Sequence, residues 1–203
     1  MSGAGPLGQR AGTVGSYSVG PYKLKTQKGE GVAMTQHEMM AIVEESWRTL
    51  DEAVAGLTVD DMTEPDVVGA WSITDVLGHV TAWDSLAVEY LERWRRGEAP
   101  PPRDWDSADV YNAREAARRQ GWTLARVTDE AADIRRRLRA QLAGITDEEW
   151  ETVMTINDPE RLADWVGGAL NGADGPGTHA AEHAAAIRAW RAAHGRPSST
   201  IGV

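Results

Sequence analysis

The sequence predicts an all-α fold, a four-helix bundle with crossover connections and short extra helices. Three observations predict it. Three segments repeat apolar residues at three- and four-residue steps, the period of a helix with one buried face, and a fourth near the C-terminus is an alanine-rich, strongly helix-forming run. Strand-like alternation is confined to a short stretch through Tyr17, Val19 and Tyr22. The connections between the long segments are rich in proline and glycine and long enough to cross an end of a bundle.

Residues 1–34 are rich in glycine and small polar residues and read as a flexible extension, with Met34 as a plausible start. The bundle is expected over 35–196, and 197–203 form a short tail. The first helix spans 35–56, with Met39, Ile42, Val43, Ser46, Trp47, Leu50 and Val54 as its inner stripe and Gly56 as its end. The stretch 58–65 reads as a polar connection stopped by Pro65.

Ser72 opens the second helix as N-cap, and Asp75 three residues later completes a capping pattern. That helix runs to about Arg96 and stops at Gly97. Ile73, Val76, Leu77, Val80, Ala87, Leu91 and Trp94 form its stripe, and His79 lies beside it. Pro100, Pro101 and Pro102 then forbid helix. Asp106 or Ser107 caps a helix to about Arg119, and Gly121 interrupts it. A third long helix follows over 123–142, its inner stripe made by Leu124, Val127, Ala131, Ile134, Leu138 and Leu142. Arg135, Arg136, Arg137 and Arg139 read as its solvated face. Short helices are expected near 146–150 and from Asp158-Pro159 through Leu162, Trp165 and Val166. Glycines at 167, 168, 172, 175 and 177 read as a flexible break before the last long helix, about 177–194.

Composition narrows the function. A net charge of -10 opposes binding to a nucleic-acid backbone, so no nucleic-acid partner is expected. No apolar run is long enough to span a bilayer, and the N-terminus lacks the apolar core of a signal peptide. The expected setting is therefore cytoplasmic, without a membrane partner. There is no cysteine, hence no disulfide, thiolate nucleophile or thiolate ligand from this chain. Nine tryptophans and no phenylalanine mean that any aromatic pocket wall is built mostly of indoles. A homodimer is left open.

The chemistry concentrates in Gly177-Thr178-His179-Ala180-Ala181-Glu182-His183. On a helix, residues four apart stack on one face, so His179 and His183 aim at one point. Such a pair is half of a divalent-metal site, or else a polar stripe on a helix surface. In bundles, metal sites form from side chains projecting inward from facing helices. His79 either completes the set or is a hydrogen-bonded core histidine. Three neutral nitrogens leave a tetrahedral ion one open position, the arrangement of a catalytic site. Asp75, one turn before His79, is within reach of supporting its ring. The motif is also the H-x-x-E-H pattern of inverted zinc peptidases, with Glu182 as catalytic residue; the duller assignment for Glu182 is an exposed ion pair. Trp71, Trp83 and Trp165 are candidate pocket walls or ordinary core. Asn112 is a candidate for orienting substrate or for bonding a loop backbone.

The stretch Gly69-Ala70-Trp71-Ser72-Ile73-Thr74-Asp75-Val76-Leu77-Gly78-His79-Val80, followed by Trp83, resembles the second helix of the DinB-like four-helix-bundle superfamily. The resemblance recurs at Tyr111-Asn112, at Leu162-Ala163-Asp164-Trp165-Val166 and from His179 through Arg191, and covers about 35–195. It is nearest to the branch containing the colibactin self-resistance hydrolase. The resemblance implies a metal held by one histidine of the second helix and two of the fourth, here His79, His179 and His183. It also implies metal-dependent transfer with mycothiol, bacillithiol or glutathione, or, from the colibactin branch, metal-free hydrolysis of a small electrophile.

The function expected is therefore divalent-metal-dependent transfer or hydrolysis on a small electrophilic molecule, with zinc, nickel, manganese or iron as the metal. The rival readings are metal-free hydrolysis and sequestration of a small toxic compound.

Overall fold

A computed structural model describes residues 34–101, 105–154, 160–172 and 174–196. The extension expected before Met34 and the tail after Arg196 lie outside the described residues. The elements, in order, are α1 (Gln36–Val54), α2 (Val59–Thr63), α3 (Ile73–Arg95), α4 (Ala108–Arg119), α5 (Leu124–Ala143), α6 (Asp147–Trp150), α7 (Leu162–Ala169) and α8 (His179–Ala193). Among the described residues the only β-type pairings are isolated bridges.

The long helices α1, α3, α5 and α8 form a four-helix bundle. α1 packs on α8 and α5, and α3 packs on α5 and α8. So α1 and α3 face each other diagonally across the core, and the connections from α1 to α3 and from α5 to α8 cross the ends of the bundle. Trp47 of α1 marks that diagonal, donating from Nε1 to the buried carboxylate of Asp84 on α3 at 2.9 Å. Leu50, Ile73, Val76, Leu91, Leu138, Leu142 and Ile187 are fully or almost fully buried between the helices.

Capping sets the helix starts. Thr35, Ser72 and Thr146 each accept from the backbone three residues on, and the acid at that position returns a bond. The same device at Thr58 and Asp61 turns the expected polar connection into the one-turn α2. α7 begins at Leu162, a few residues after the expected Asp158-Pro159 start, which lies outside the described residues. It also continues through Gly167 and Gly168, which sequence alone reads as breakers. Gly167 lies where a Cβ would meet Met39 and Pro176 at 3.4 and 3.8 Å, so packing overrides its weak helix propensity.

Of the arginine run on α5, Arg139 pairs with Glu44 and Arg135 with Asp51, both acids on α1, while Arg137 pairs with Glu92 of α3. The guanidinium groups of Arg135 and Arg139 also lie 5.3 and 5.1 Å from the Trp47 ring. The face is charged as expected, and it also ties α5 to both neighbours.

Candidate metal centre

Two helix starts place the three histidines. On α3 the capping box fixes the first turn, and His79 follows in the second turn, 8% exposed. On α8, His179 is the first residue and His183 lies one turn on. Thr178 makes no side-chain cap there. Instead, Ser46 of α1 accepts the Ala181 N–H at 2.8 Å, filling one of the open donor positions of the first turn. Just before α8, Gly177 adopts φ +82°, and a Cβ there would stand 2.9 Å from Ile42. Glycine thus lets the chain turn against α1 and enter α8 with His179 pointing inward.

His179 Nε2 lies 3.0 Å from His79 Nε2 and 3.2 Å from His183 Nε2. All three candidate donor atoms lie within 4.8 Å of one another. His79 and His183 are perpendicular, with ring centroids 5.0 Å apart. Burial depresses the basicity of all three rings: His79 and His179 fall well below the usual 6.5 and His183 falls to about 4, with mutual repulsion adding at His79 and His179. At neutral pH the cluster is therefore uncharged, the state in which imidazole ligates metals.

The donor set fits a divalent cation. Each Nε2 carries either one proton or one lone pair, so hydrogen bonds between the rings cannot satisfy three such atoms facing one point. A cation on the shared lone pairs can. Ligand nitrogens at ~2.0–2.1 Å from one tetrahedral ion stand ~3.3–3.4 Å apart, close to the separations seen at His179. His179 Nδ1 is buried without a hydrogen-bond partner among the described residues, so the supporting bond common behind metal-bound imidazoles is missing there. Asp75 does not support His79 with a hydrogen bond: its carboxylate accepts the Ser72 N–H at 3.0 Å and hydroxyl at 2.6 Å in the α3 cap.

A cavity of about 190 Å³ opens beside His79. Trp71 lines it and packs on the His79 ring with centroids 4.7 Å apart. Asn112, from α4, lines it too, and accepts the Trp83 indole N–H at 2.9 Å. Trp83 stands edge-on to His179 at 6.4 Å. Trp165 is not among the lining residues; it packs edge-on against Tyr90 with centroids 5.0 Å apart. Glu182 sits on the exposed side of α8, outside the three-histidine cluster.

Sequence reasoning missed the charged floor of this cavity. Arg119 is buried and forms a forked pair with Glu130 at 2.8 and 3.0 Å and a bond to Glu115 at 2.9 Å. The signal was available. Asn112, Glu115, Ala116 and Arg119 follow three- and four-residue steps along α4 and form one face.

The fold has relatives among solved structures. An uncharacterised protein from Escherichia coli UTI89 matches with a TM-score of 0.68 and 10% identity, over 81% of this chain and 96% of that one. The colibactin self-resistance protein ClbS, solved in complex with dsDNA, matches with a TM-score of 0.65 and 9% identity, over 80% and 98%. A protein from Streptococcus pneumoniae gives 0.62 and 12%, over 80% and 93%. At these identities the likeness is one of fold. No curated protein sequence matches the chain. The family model of the DinB superfamily matches residues 42–194, which include all three histidines and the four long helices from Ile42 onward, and the chain belongs to that superfamily.

Proposed function

We propose that this protein is a divalent-metal-dependent enzyme that transfers or hydrolyses a small electrophilic molecule in the cavity beside His79. The observation that carries the reading is the convergence on one point of three neutral imidazoles, those of His79 and His179 buried and that of His183 half-buried. His79, His179 and His183 would hold the cation, and zinc, nickel, manganese and iron all suit imidazole ligands. When bound, such a cation supplies Lewis acidity and a nucleophile available at neutral pH. The chain supplies the rest. Trp71 walls the cavity against His79 and limits water there, and Asn112 offers its amide to the substrate. A low-molecular-weight thiol such as mycothiol, bacillithiol or glutathione is the proposed co-substrate for transfer.

A small molecule is the partner in this reading. The net charge of -10 disfavours a nucleic acid, and no described helix is long and apolar enough to cross a membrane. The test is elemental analysis of gently purified protein, joined to turnover of small electrophiles with and without each thiol. The expected result is about one divalent metal per chain, with turnover lost on chelation and restored by metal. Turnover without metal would replace this reading by metal-free hydrolysis. Stoichiometric protection without product would replace it by sequestration.

A further inference from the structure

Most polar side chains around the cavity are already committed. Thr74 donates to the Met62 carbonyl at 2.8 Å, and Asp75 is held in the α3 cap. Arg119 directs its guanidinium to Glu130 and Glu115. Asn112 differs. Its Oδ1 receives the Trp83 Nε1–H at 2.9 Å. An indole N–H only donates, so the atom facing Trp83 is the amide oxygen, and chemistry settles which way the carboxamide is turned. Nδ2 therefore occupies the other limb of the amide with two donors, and it makes no hydrogen bond to a described residue. Trp71, Trp122 and Val127 give this cavity apolar walls, and its volume of about 190 Å³ admits only a small ligand.

We infer that Asn112 is the specificity-determining residue of the cavity, donating from Nδ2 to a carbonyl oxygen of the substrate, and that the substrate is a small carbonyl compound with a flat apolar body. Trp83 is the positioning residue: its N–H holds Oδ1, so the donor limb cannot exchange places with the acceptor limb. Trp83 also stands edge-on to His179, so the same indole borders the metal centre and orients the amide. The inference rests on reading this cavity as the substrate site.

The test uses the full chain, as purified and again after chelation, with acetophenone as probe and ethylbenzene as the analogue without the carbonyl oxygen. Binding is followed by amide and indole N–H signals in NMR titrations. The wild type should bind acetophenone three- to tenfold more tightly than ethylbenzene, about what one neutral hydrogen bond contributes. The Asn112 side-chain N–H signals should move with acetophenone and stay still with ethylbenzene. Asn112→Asp keeps an acceptor for Trp83 and removes the donor, so it should abolish the preference for acetophenone over ethylbenzene. Trp83→Phe should reduce the preference, an effect that a merely structural role would not give. Equal binding of the two probes by the wild type, no binding of acetophenone, or an unchanged preference in Asn112→Asp would overturn the inference. Because the chelated protein is also tested, an absent metal would sink the proposed enzyme function while leaving this result readable.

Discussion

Replacing Asp84 by asparagine should stabilise the protein at alkaline pH. Asp84 is only 4% exposed, in the core between α3 and α1, and Trp47 donates one hydrogen bond to it. One neutral donor compensates poorly for a carboxylate taken out of water. Burial pushes its carboxyl up from 3.8 to about 7, against smaller opposing pulls from the Trp47 bond and from Arg135. Between those two values the folded protein retains a proton that the unfolded chain has released. Stability thus falls as pH rises through the window, and above it the buried charge costs ~4 kcal/mol, at ~1.4 kcal/mol per tenfold in proton affinity. The asparagine side chain would keep a carbonyl oxygen for the Trp47 N–H and could not ionise. Urea unfolding of both proteins at about pH 4 and about pH 8 isolates the effect, since the other titrations are shared. The gap should widen in favour of Asp84→Asn by ~2–4 kcal/mol from the lower pH to the higher. A gap that does not change with pH would refute the burial argument, whatever its sign.

Three further outcomes are expected. Replacing both His79 and His183 by alanine should lower zinc affinity by more than ~100-fold, the upper range for losing a mere supporting residue, whereas His194→Ala should leave it unchanged in a competition titration. In the metal-free protein, burial holds His183 at about 4, so the unfolded chain gains protons first; stability should drop as pH falls from about 6.5 toward 4, and thermal melts should show a smaller drop in His183→Asn. Gly78→Ala should cost ~1–3 kcal/mol in urea unfolding, because its Cβ would stand 3.0 Å from Arg119 Cδ, in a side chain anchored by Glu115 and Glu130.

Most of the frame was legible because it is written in local signals. The Ser72 and Asp75 cap, the apolar stripe of α3 and the glycine after Arg96 bound that helix from sequence alone. The pair His179 and His183 was legible for the same reason, since its geometry needs only one turn of helix. His79 lies a hundred residues away, and only the assembled bundle makes it a neighbour. What stayed hidden depends on which side chains meet. Asp84 stands four residues after Val80 and three before Ala87, in register with the buried stripe, yet a lone acid there gives no hint that Trp47 awaits it. Arg119 ends a helix of mostly polar residues, and its burial requires the bare backbone of Gly78 beneath it. Gly167 shows the reverse case, a residue read as a breaker because sequence does not reveal that Met39 and Pro176 stand close behind it.

The three-histidine cluster and the cavity next to it are supported by different parts of the bundle. The three imidazoles depend on α3 and α8, with α8 seated through Ser46 of α1. The opposite cavity wall depends on α4, whose cavity face runs Asn112, Glu115, Ala116, Arg119. That helix is held by the forked Arg119–Glu130 pair to α5 and by Tyr111, whose hydroxyl donates to the Ala82 carbonyl of α3 at 2.9 Å. Arg119 follows Asn112 by two turns on the same face, so its anchoring fixes the height of Asn112 along the cavity wall. Residues 78 and 79 point ~100° apart on α3, one toward Arg119 and the other toward α8. Disturbing the Arg119 seat therefore displaces the Asn112 wall of the cavity before it displaces a histidine, and the shape of the cavity can vary in this scaffold without dismantling the three-histidine set.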